Sequence, residues 1–173
     1  MWVKGMLHPR VRILSVLFVW LCVISSSLAI EKQTIGWLEE VKINGSNFQL
    51  KAKIDTGATT SSLNAKVIKK FSKDGKKWIR FRVENKKGQK IVLERQLLHY
   101  VKIKRKLALP LKRPVVELGI CLGAVYRELE VNLSNRKNFE YQMLIGRNYL
   151  HSHFLVDSEV VYTSKPSCME MEI

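Results

Sequence analysis

The feature that most constrains the fold of this chain is a succession of short segments in which apolar and polar residues alternate. Residues 78–84 are the clearest case, because Ile79, Phe81 and Val83 alternate with Arg80 and Arg82. Alternation with a period of two predicts β-strands that bury one face. Strands are predicted on this basis at residues 34–43, 48–54, 78–84, 90–93, 97–103, 115–120 and 125–133.

Turn-forming residues separate these segments. Asn44-Gly45 is the strongest hairpin signal and links the first two strands, and residues 85–88 turn the third strand into the fourth. The last two strands are expected to pair across residues 119–124. Two segments are predicted to be helical, 64–71 and 147–153. So many short strands with one or two short helices predict an all-β fold, either a small barrel or a sandwich.

The first 29 residues have the features of an export signal. A basic start is followed by an apolar run over residues 13–24 and by the small residues of a Ser27-Leu28-Ala29 cleavage site. We therefore predict a signal peptide at 1–29, a folded domain at 30–163 and a C-terminal tail at 164–173. The mature protein is expected to be exported, periplasmic or secreted, and to keep no stable membrane anchor once the signal is cleaved. An uncleaved N-terminal anchor is the alternative.

The chain is strongly basic, with 30 Lys and Arg against 15 Asp and Glu and a net charge of +15. Three of the basic residues lie in the signal, so 27 basic and 15 acidic residues leave about +12 on the mature protein. A basic surface favours anionic partners such as acidic peptides, phosphorylated glycans or anionic lipid. A nucleic-acid partner is not expected, because no binding module is recognisable. The alternative is a solvated surface without a specific partner.

Cysteines and histidines predict no metal centre. Cys121 and Cys168 remain after signal cleavage, and they can either form a disulfide or stay as two thiols, because their separation carries no geometry. No His-Glu-x-x-His or Cys-x-x-Cys motif is present. No Gly-rich phosphate loop is present either, so no cofactor is expected. A metallohydrolase using His99, His151 and His153 is the least favoured alternative.

The candidate catalytic residue is an aspartate in an Asp-Thr-Gly motif. Asp55-Thr56-Gly57-Ala58 follows the alternating run over residues 48–54, and only three aspartates exist in the whole sequence. Far downstream, a second apolar segment reads Leu144-Ile145-Gly146-Arg147-Asn148.

These two segments together resemble the two signatures of retropepsin-like aspartic peptidases. Residues 53–65, 78–81, 113–116 and 144–157 are similar, more closely, to the bacterial RimB-type group, which is usually labelled putative ATP-dependent zinc proteases. The resemblance implies a closed retropepsin-like β-barrel and the hydrolysis of a peptide or protein substrate. It also implies that Ile145, Gly146, Arg147 and Asn148 support the catalytic loop from behind.

An aspartic peptidase activates water between two carboxylates that share a proton. The resemblance assigns one carboxylate to Asp55 and places Thr56 in a hydrogen bond across the pair. Gly57 lets the backbone turn without a Cβ clash, and Ala58 leaves room for the substrate backbone. Because the chain has no second Asp-Thr-Gly or Asp-Ser-Gly, the pair is expected to form in a homodimer.

Two features depart from the retroviral pattern. Thr59-Thr60 stands where those enzymes have an acidic residue that pairs with the helix arginine, so Arg147 needs another partner. No Gly-rich flap is present, and the hairpin at 85–89 is short and basic, which would favour an acidic substrate if it covered the cleft. The main alternative is a non-catalytic barrel that binds acidic peptides or envelope polymers through its basic surface.

Overall fold

The structure is a computed structural model that describes residues 31–43, 46–105, 108–136 and 139–168, with side chains at 104, 105, 108 and 109 left aside. The predicted signal peptide and the Asn44-Gly45 turn lie outside these residues. The described chain contains one helix, α1 (Arg147–Leu150), which begins where predicted and is shorter than the predicted 147–153. No helix within the described ranges is long and apolar enough to cross a membrane. The strands are β1 (Gln33–Ile43), β2 (Gln49–Ile54), β3 (Ser61–Asn64), β4 (Lys66–Lys73), β5 (Lys76–Glu84), β6 (Lys90–Gln96), β7 (His99–Arg105), β8 (Ala108–Leu122), β9 (Val125–Ser134), β10 (Met143–Ile145) and β11 (Phe154–Val161).

The strands form two sheets, and the predicted all-β class is confirmed. The larger sheet has eight strands in the order β11-β1-β2-β10-β3-β9-β8-β7, and the smaller has the order β4-β5-β6. A further pairing joins β1 to β8 through Lys42 with Cys121 and Ile43 with Ile120. This pairing links six strands of the larger sheet into a partial ring, in the order β1-β2-β10-β3-β9-β8. The expectation was a fully closed barrel.

The two sheets share one hydrophobic core. Ile79, Phe81 and Val83 of β5 are fully buried, as their alternation predicted, and they pack in the same cluster as Ile35 and Val41 of β1. All seven predicted strands are present with ends shifted by a few residues, apart from β8, which begins earlier. The predicted pairing of the two strands around residues 119–124 is confirmed, since β8 pairs antiparallel with β9 over eight residue pairs.

The predicted helix at 64–71 is wrong, because this segment ends β3 and forms most of β4. Its partner is β5, to which it is joined by a two-residue turn at Asp74 and Gly75 with φ of 51° and 71°. Positive φ at both central positions is the type I′ hairpin geometry that Asp-Gly favours. The spacing of Ala65, Ile68 and Phe71 favours a helix, but pairing with β5 in the hairpin determines the conformation. Val67 and Ile68 are also β-branched residues, which are suited to a strand.

The C-terminal segment is bonded to the ring. Cys121 and Cys168 form a disulfide, which decides a question that the sequence left open. Glu39 is fully buried on β1, and its carboxylate accepts hydrogen bonds from the backbone N–H and the hydroxyl of Thr163 at 3.0 and 2.6 Å. The described part of the predicted tail, residues 164–168, is therefore attached to the domain.

Candidate active site

Asp55 lies directly after β2, where the two sequence signatures meet. β10 pairs parallel with β2, and Ile145 stands opposite Ile54. The backbone N–H of Asp55 donates to the carbonyl of Ile145 at 2.9 Å. Residues about 90 positions apart in the sequence thus form one site.

The Asp55 carboxylate is held by its own loop. Its Oδ1 accepts hydrogen bonds from the backbone N–H groups of Gly57 and Ala58 at 3.0 and 3.2 Å. A Cβ added at Gly57 would lie 3.2 Å from the same oxygen, so glycine lets the loop wrap closely. Within the described chain, Oδ2 accepts no hydrogen bond, and this half-buried carboxylate keeps one oxygen available.

Arg147 braces the loop from the start of α1. Its backbone N–H donates to the carbonyl of Ala58 at 2.8 Å. Its guanidinium donates to the carbonyls of Thr56 and Gly57 at 2.8 and 3.0 Å and to the Thr59 hydroxyl at 3.0 Å. Neutral oxygens, one of them from Thr59, therefore take the place of the acidic partner that is missing here.

Gly146 packs against the loop at a distance that excludes any side chain. A Cβ added there would lie 2.8 Å from the carbonyl carbon of Thr60 and 3.0 Å from the carbonyl oxygen of Ala58. Contacts under 3.0 Å to backbone atoms require the backbone to move. Gly146 therefore lets the start of α1 approach the Asp55 loop closely.

A network of polar side chains fastens the second half of the loop. Asn148 Oδ1 accepts from both the backbone N–H and the hydroxyl of Ser61 at 2.9 Å, and Asn148 Nδ2 donates to the carbonyl of Glu130 at 2.8 Å. The Ser61 hydroxyl accepts from the N–H of Gly146 at 3.0 Å, and the N–H of Asn148 donates to the carbonyl of Thr59 at 3.0 Å. Sequence reasoning missed Ser61, because a serine beside Asp-Thr-Gly carries no motif of its own.

A cavity of about 360 Å³ opens beside Asp55. Sequence reasoning did not single out Arg136, Glu140 or Tyr141, which come from a loop without a recognisable pattern. The cavity is lined by Lys53, Asp55, Arg136, Phe139, Glu140, Tyr141 and Leu144.

The other candidate groups lie elsewhere. His99 forms an ion-pair contact with Glu130 at 3.6 Å, and His151 Nδ1 is 2.8 Å from the hydroxyl of Ser152. No three His, Cys, Asp or Glu side chains of the described residues are grouped to hold a metal ion. The basic hairpin at 85–89 packs beside the start of β2, where the Asn85 amide donates to the carbonyl of Gln49 at 3.2 Å. It does not line the Asp55 cavity.

The remaining two aspartates do not contribute to the cavity. Asp74 lies in the β4–β5 turn of the smaller sheet. Asp157 lies on β11 opposite Gly36 and accepts the N–H of Glu159 at 2.8 Å.

Comparisons with known proteins find similar sequences and a similar solved structure. A probable alpha-L-glutamate ligase of Shewanella pealeana is 34% identical over 127 residues, which are 71% of this chain and 28% of that protein. A protein of the same name from Parasynechococcus marenigrum is 34% identical over 113 residues, 64% of this chain and 24% of that protein. The chain therefore spans about a quarter of the length of these curated relatives. A Legionella pneumophila protein of unknown function (DUF785) has a crystal structure that matches with a TM-score of 0.69 and 37% identity, over 78% of this chain and 100% of that one.

The family model of the retropepsin-like aspartic endopeptidase RimB matches residues 34–167. This range contains both signatures, the described ring except for Gln33 at its start, and the segment that ends next to Cys168. The chain belongs to the RimB-like family of retropepsin-like aspartic endopeptidases.

Proposed function

We propose that this protein is an exported endopeptidase that hydrolyses peptide bonds with a water molecule activated between two Asp55 carboxylates of a homodimer. The observation that carries the proposal is the Asp55 carboxylate itself, held through Oδ1 by two backbone N–H groups and facing a cavity of about 360 Å³. A fixed carboxylate beside an open cavity is what a general base needs.

The chemistry requires one charged and one protonated carboxyl group. The charged group removes a proton from water as the water oxygen bonds to the peptide carbonyl carbon, and the protonated group donates its proton to the carbonyl oxygen. The tetrahedral intermediate then breaks its C–N bond. The leaving nitrogen takes the proton that the first carboxyl group removed from water, and the second carboxylate takes back a proton from a hydroxyl of the intermediate, which restores the starting pair. Two carboxyl groups in contact share one proton, because both cannot ionise at such a short distance. Oδ2 of Asp55, which accepts no hydrogen bond from the described residues, suits this sharing.

A second copy is proposed as the source of the second carboxyl group. Asp74 and Asp157 both lie away from the cavity. β11 is an edge strand of the larger sheet and exposes Leu155, Val160 and Val161, which are 38–54% accessible. An apolar unpaired strand edge favours pairing with another chain. This edge supports a homodimer.

An acidic substrate is proposed from charge. Without the three basic residues of the signal, 27 basic and 15 acidic residues leave a net charge of about +12, and such a surface attracts anionic peptides over distances of about 10 Å at moderate ionic strength. The relatives named as probable alpha-L-glutamate ligases contain a region similar to this chain. The name of these relatives supports a substrate that contains glutamate.

Export is proposed from the signal-like N-terminus together with the Cys121–Cys168 disulfide. Disulfides persist in oxidising compartments such as the periplasm. Fractionation of cells, with the disulfide state read by thiol alkylation, tests this point. A protein that is found reduced in the cytoplasm contradicts it.

The decisive test of catalysis replaces Asp55 alone. We expect Asp55→Asn to lower the rate of hydrolysis of acidic peptides at mildly acidic pH by about a thousandfold, as for the loss of a general base. Asp74→Asn is the matched control, because Asn tolerates the positive φ of that turn and Asp74 lies on the other sheet. Equal rates in the native and Asp55→Asn proteins sink the proposal.

The dimer is tested by the dependence of activity on concentration. Sedimentation in moderate salt should give a dimer at the concentrations where hydrolysis is seen, and the specific rate should fall on dilution. Glu140 is the only residue besides Asp55 that brings a carboxyl group to the lining of the cavity, so it is the alternative source of the second carboxyl group. An active monomer that loses its activity on Glu140→Gln would assign the second carboxyl group to Glu140 and exclude the homodimer.

A further inference from the structure

The cavity beside Asp55 contains a buried cation that the proposed hydrolysis does not use. Arg136 follows β9 and is only 8% exposed. Its backbone N–H donates to Asn64 Oδ1 at 2.7 Å, and its Nε donates to the carbonyl of Tyr141 at 3.3 Å. The ring of Phe139 lies 4.4 Å from the guanidinium carbon. The side chain is therefore held in place and is not a mobile surface arginine.

Arg136 makes no ion-pair contact with a carboxylate of the described chain, although the Asp55 carboxylate is near enough for its charge to act on the guanidinium. The ion pairs there join Arg80 with Glu94, Lys90 with Glu84 and His99 with Glu130. Glu140 lines the same cavity but is exposed, and it accepts a hydrogen bond from the Tyr141 hydroxyl at 3.0 Å. A charge that is taken out of water without a counter-ion is costly.

A second guanidinium adds to this positive potential. Arg113 is half-buried; its Nη1 donates to Asn132 Oδ1 at 3.4 Å, and its Nε is buried with no hydrogen-bond partner among the residues that the structure describes. Burial lowers the pKa of Arg136, the nearby charge of Arg113 lowers it further, and Asp55 acts in the opposite direction. Arginine stays protonated in proteins, so the region keeps two partly buried positive charges.

We propose that Arg136 binds a carboxylate of the substrate in the cavity next to Asp55, so that the enzyme selects peptides with a carboxylate close to the scissile bond. The inference rests on the proposed function. A guanidinium matches a carboxylate with two parallel hydrogen bonds. Lys53 of β2 lies two residues before Asp55, so the two residues lie on the same side of the extended chain. Lys53 lines the same cavity and adds a further positive charge. The carboxylate comes from an acidic side chain or from the C-terminus of the peptide.

The test measures binding, so it does not depend on catalysis. Short α-linked L-glutamate and L-glutamine peptides, each with a free or an amidated C-terminus, are titrated into the full-length Asp55→Asn protein by calorimetry. We expect the glutamate peptide to bind at least about tenfold more tightly than the glutamine peptide. Adding Arg136→Gln should remove most of this difference, and Arg136→Lys should restore part of it, because lysine keeps the charge and loses the planar fork.

Arg82→Gln is the matched control, since it removes the same charge from β5 of the smaller sheet. An equal loss in Arg82→Gln and Arg136→Gln would assign the preference to overall charge and overturn the proposal. The proposal would also be overturned if affinity changed neither between glutamate and glutamine peptides nor between free and amidated C-termini. Loss of binding on C-terminal amidation identifies the terminal carboxylate as the ligand, and retained binding identifies the side chain. Retained binding without hydrolysis by the native protein would refute the peptidase alone.

Discussion

Removing the Asn148 side chain should loosen the loop that carries Asp55. Asn148 makes three side-chain hydrogen bonds, two with Ser61 and one with the carbonyl of Glu130. At about 1 kcal/mol for each bond, Asn148→Ala should lower the free energy of unfolding by about 3 kcal/mol. Ser61 is fully buried, so water cannot replace the bonds that its N–H and hydroxyl lose.

Thermal unfolding followed by circular dichroism measures this effect. For a domain of this size, about 3 kcal/mol corresponds to a fall in Tm of roughly 10 °C. Asn47→Ala is the control, because Asn47 is exposed and its side chain makes no hydrogen bond within the described residues, so its Tm should change by about 1 °C or less. A similar Tm for both variants would refute the view that the network fastens the loop.

A double-mutant cycle sharpens the test. Ser61→Ala removes the hydroxyl that donates to Asn148 Oδ1 and accepts from the N–H of Gly146. Because Ser61 and Asn148 share one of the bonds, the double variant should lose about 1 kcal/mol less than the sum of the single variants. Additive losses would indicate that the two side chains act independently.

Two further predictions concern stability. Tyr149 is fully buried, and burial raises the pKa of its hydroxyl above the usual 10.0. As pH rises, the unfolded chain therefore loses this proton before the folded protein does. The free energy of unfolding should be unaffected by this group below about pH 10 and should fall above pH 10 by up to about 1.4 kcal/mol per pH unit. Denaturant titrations at several pH values measure this effect. Tyr149→Phe should make the free energy of unfolding depend less on pH, whereas Tyr100→Phe, at an exposed tyrosine, should leave the dependence unchanged. An equal pH dependence in all three proteins would contradict the prediction. The Cys121–Cys168 disulfide closes a separation of 47 residues, so Cys168→Ser should cost about 4 kcal/mol in urea unfolding. Reductant should lower the native protein to the level of the variant, and a native protein that is insensitive to reductant would contradict this.

Local patterns in the sequence predicted most of the strands and the position of Asp55. The alternation of residues 78–84 marks one face of a strand whatever its neighbours are, and Ile79, Phe81 and Val83 are buried accordingly. The segment at 64–71 was misassigned, since its conformation depends on pairing with β5 through the Asp74-Gly75 turn. The strength of that pairing is not visible within the segment itself.

The parts of the site that the sequence did not reveal depend on contacts between distant residues. Arg136 lies 81 positions after Asp55 in the numbering, and only the folded loop after β9 brings it to the cavity. Cys121 and Cys168 raised two possibilities that only geometry separates. Asp55 and Ile145 were associated through a family resemblance, and the parallel pairing of β2 with β10 supplies the physical reason for it.

Thr59 explains how the loop manages without the acidic residue of the retroviral pattern. An aspartate paired with Arg147 would have its pKa lowered by the guanidinium, so it would lose its charge, and with it the ion pair, only at strongly acidic pH. Arg147 instead contacts two carbonyl oxygens and the Thr59 hydroxyl, none of which titrates in this range. The brace therefore contains no group that loses its charge on acidification. Replacing the acid by threonine therefore removes one titrating group from the loop while keeping its hydrogen bonds.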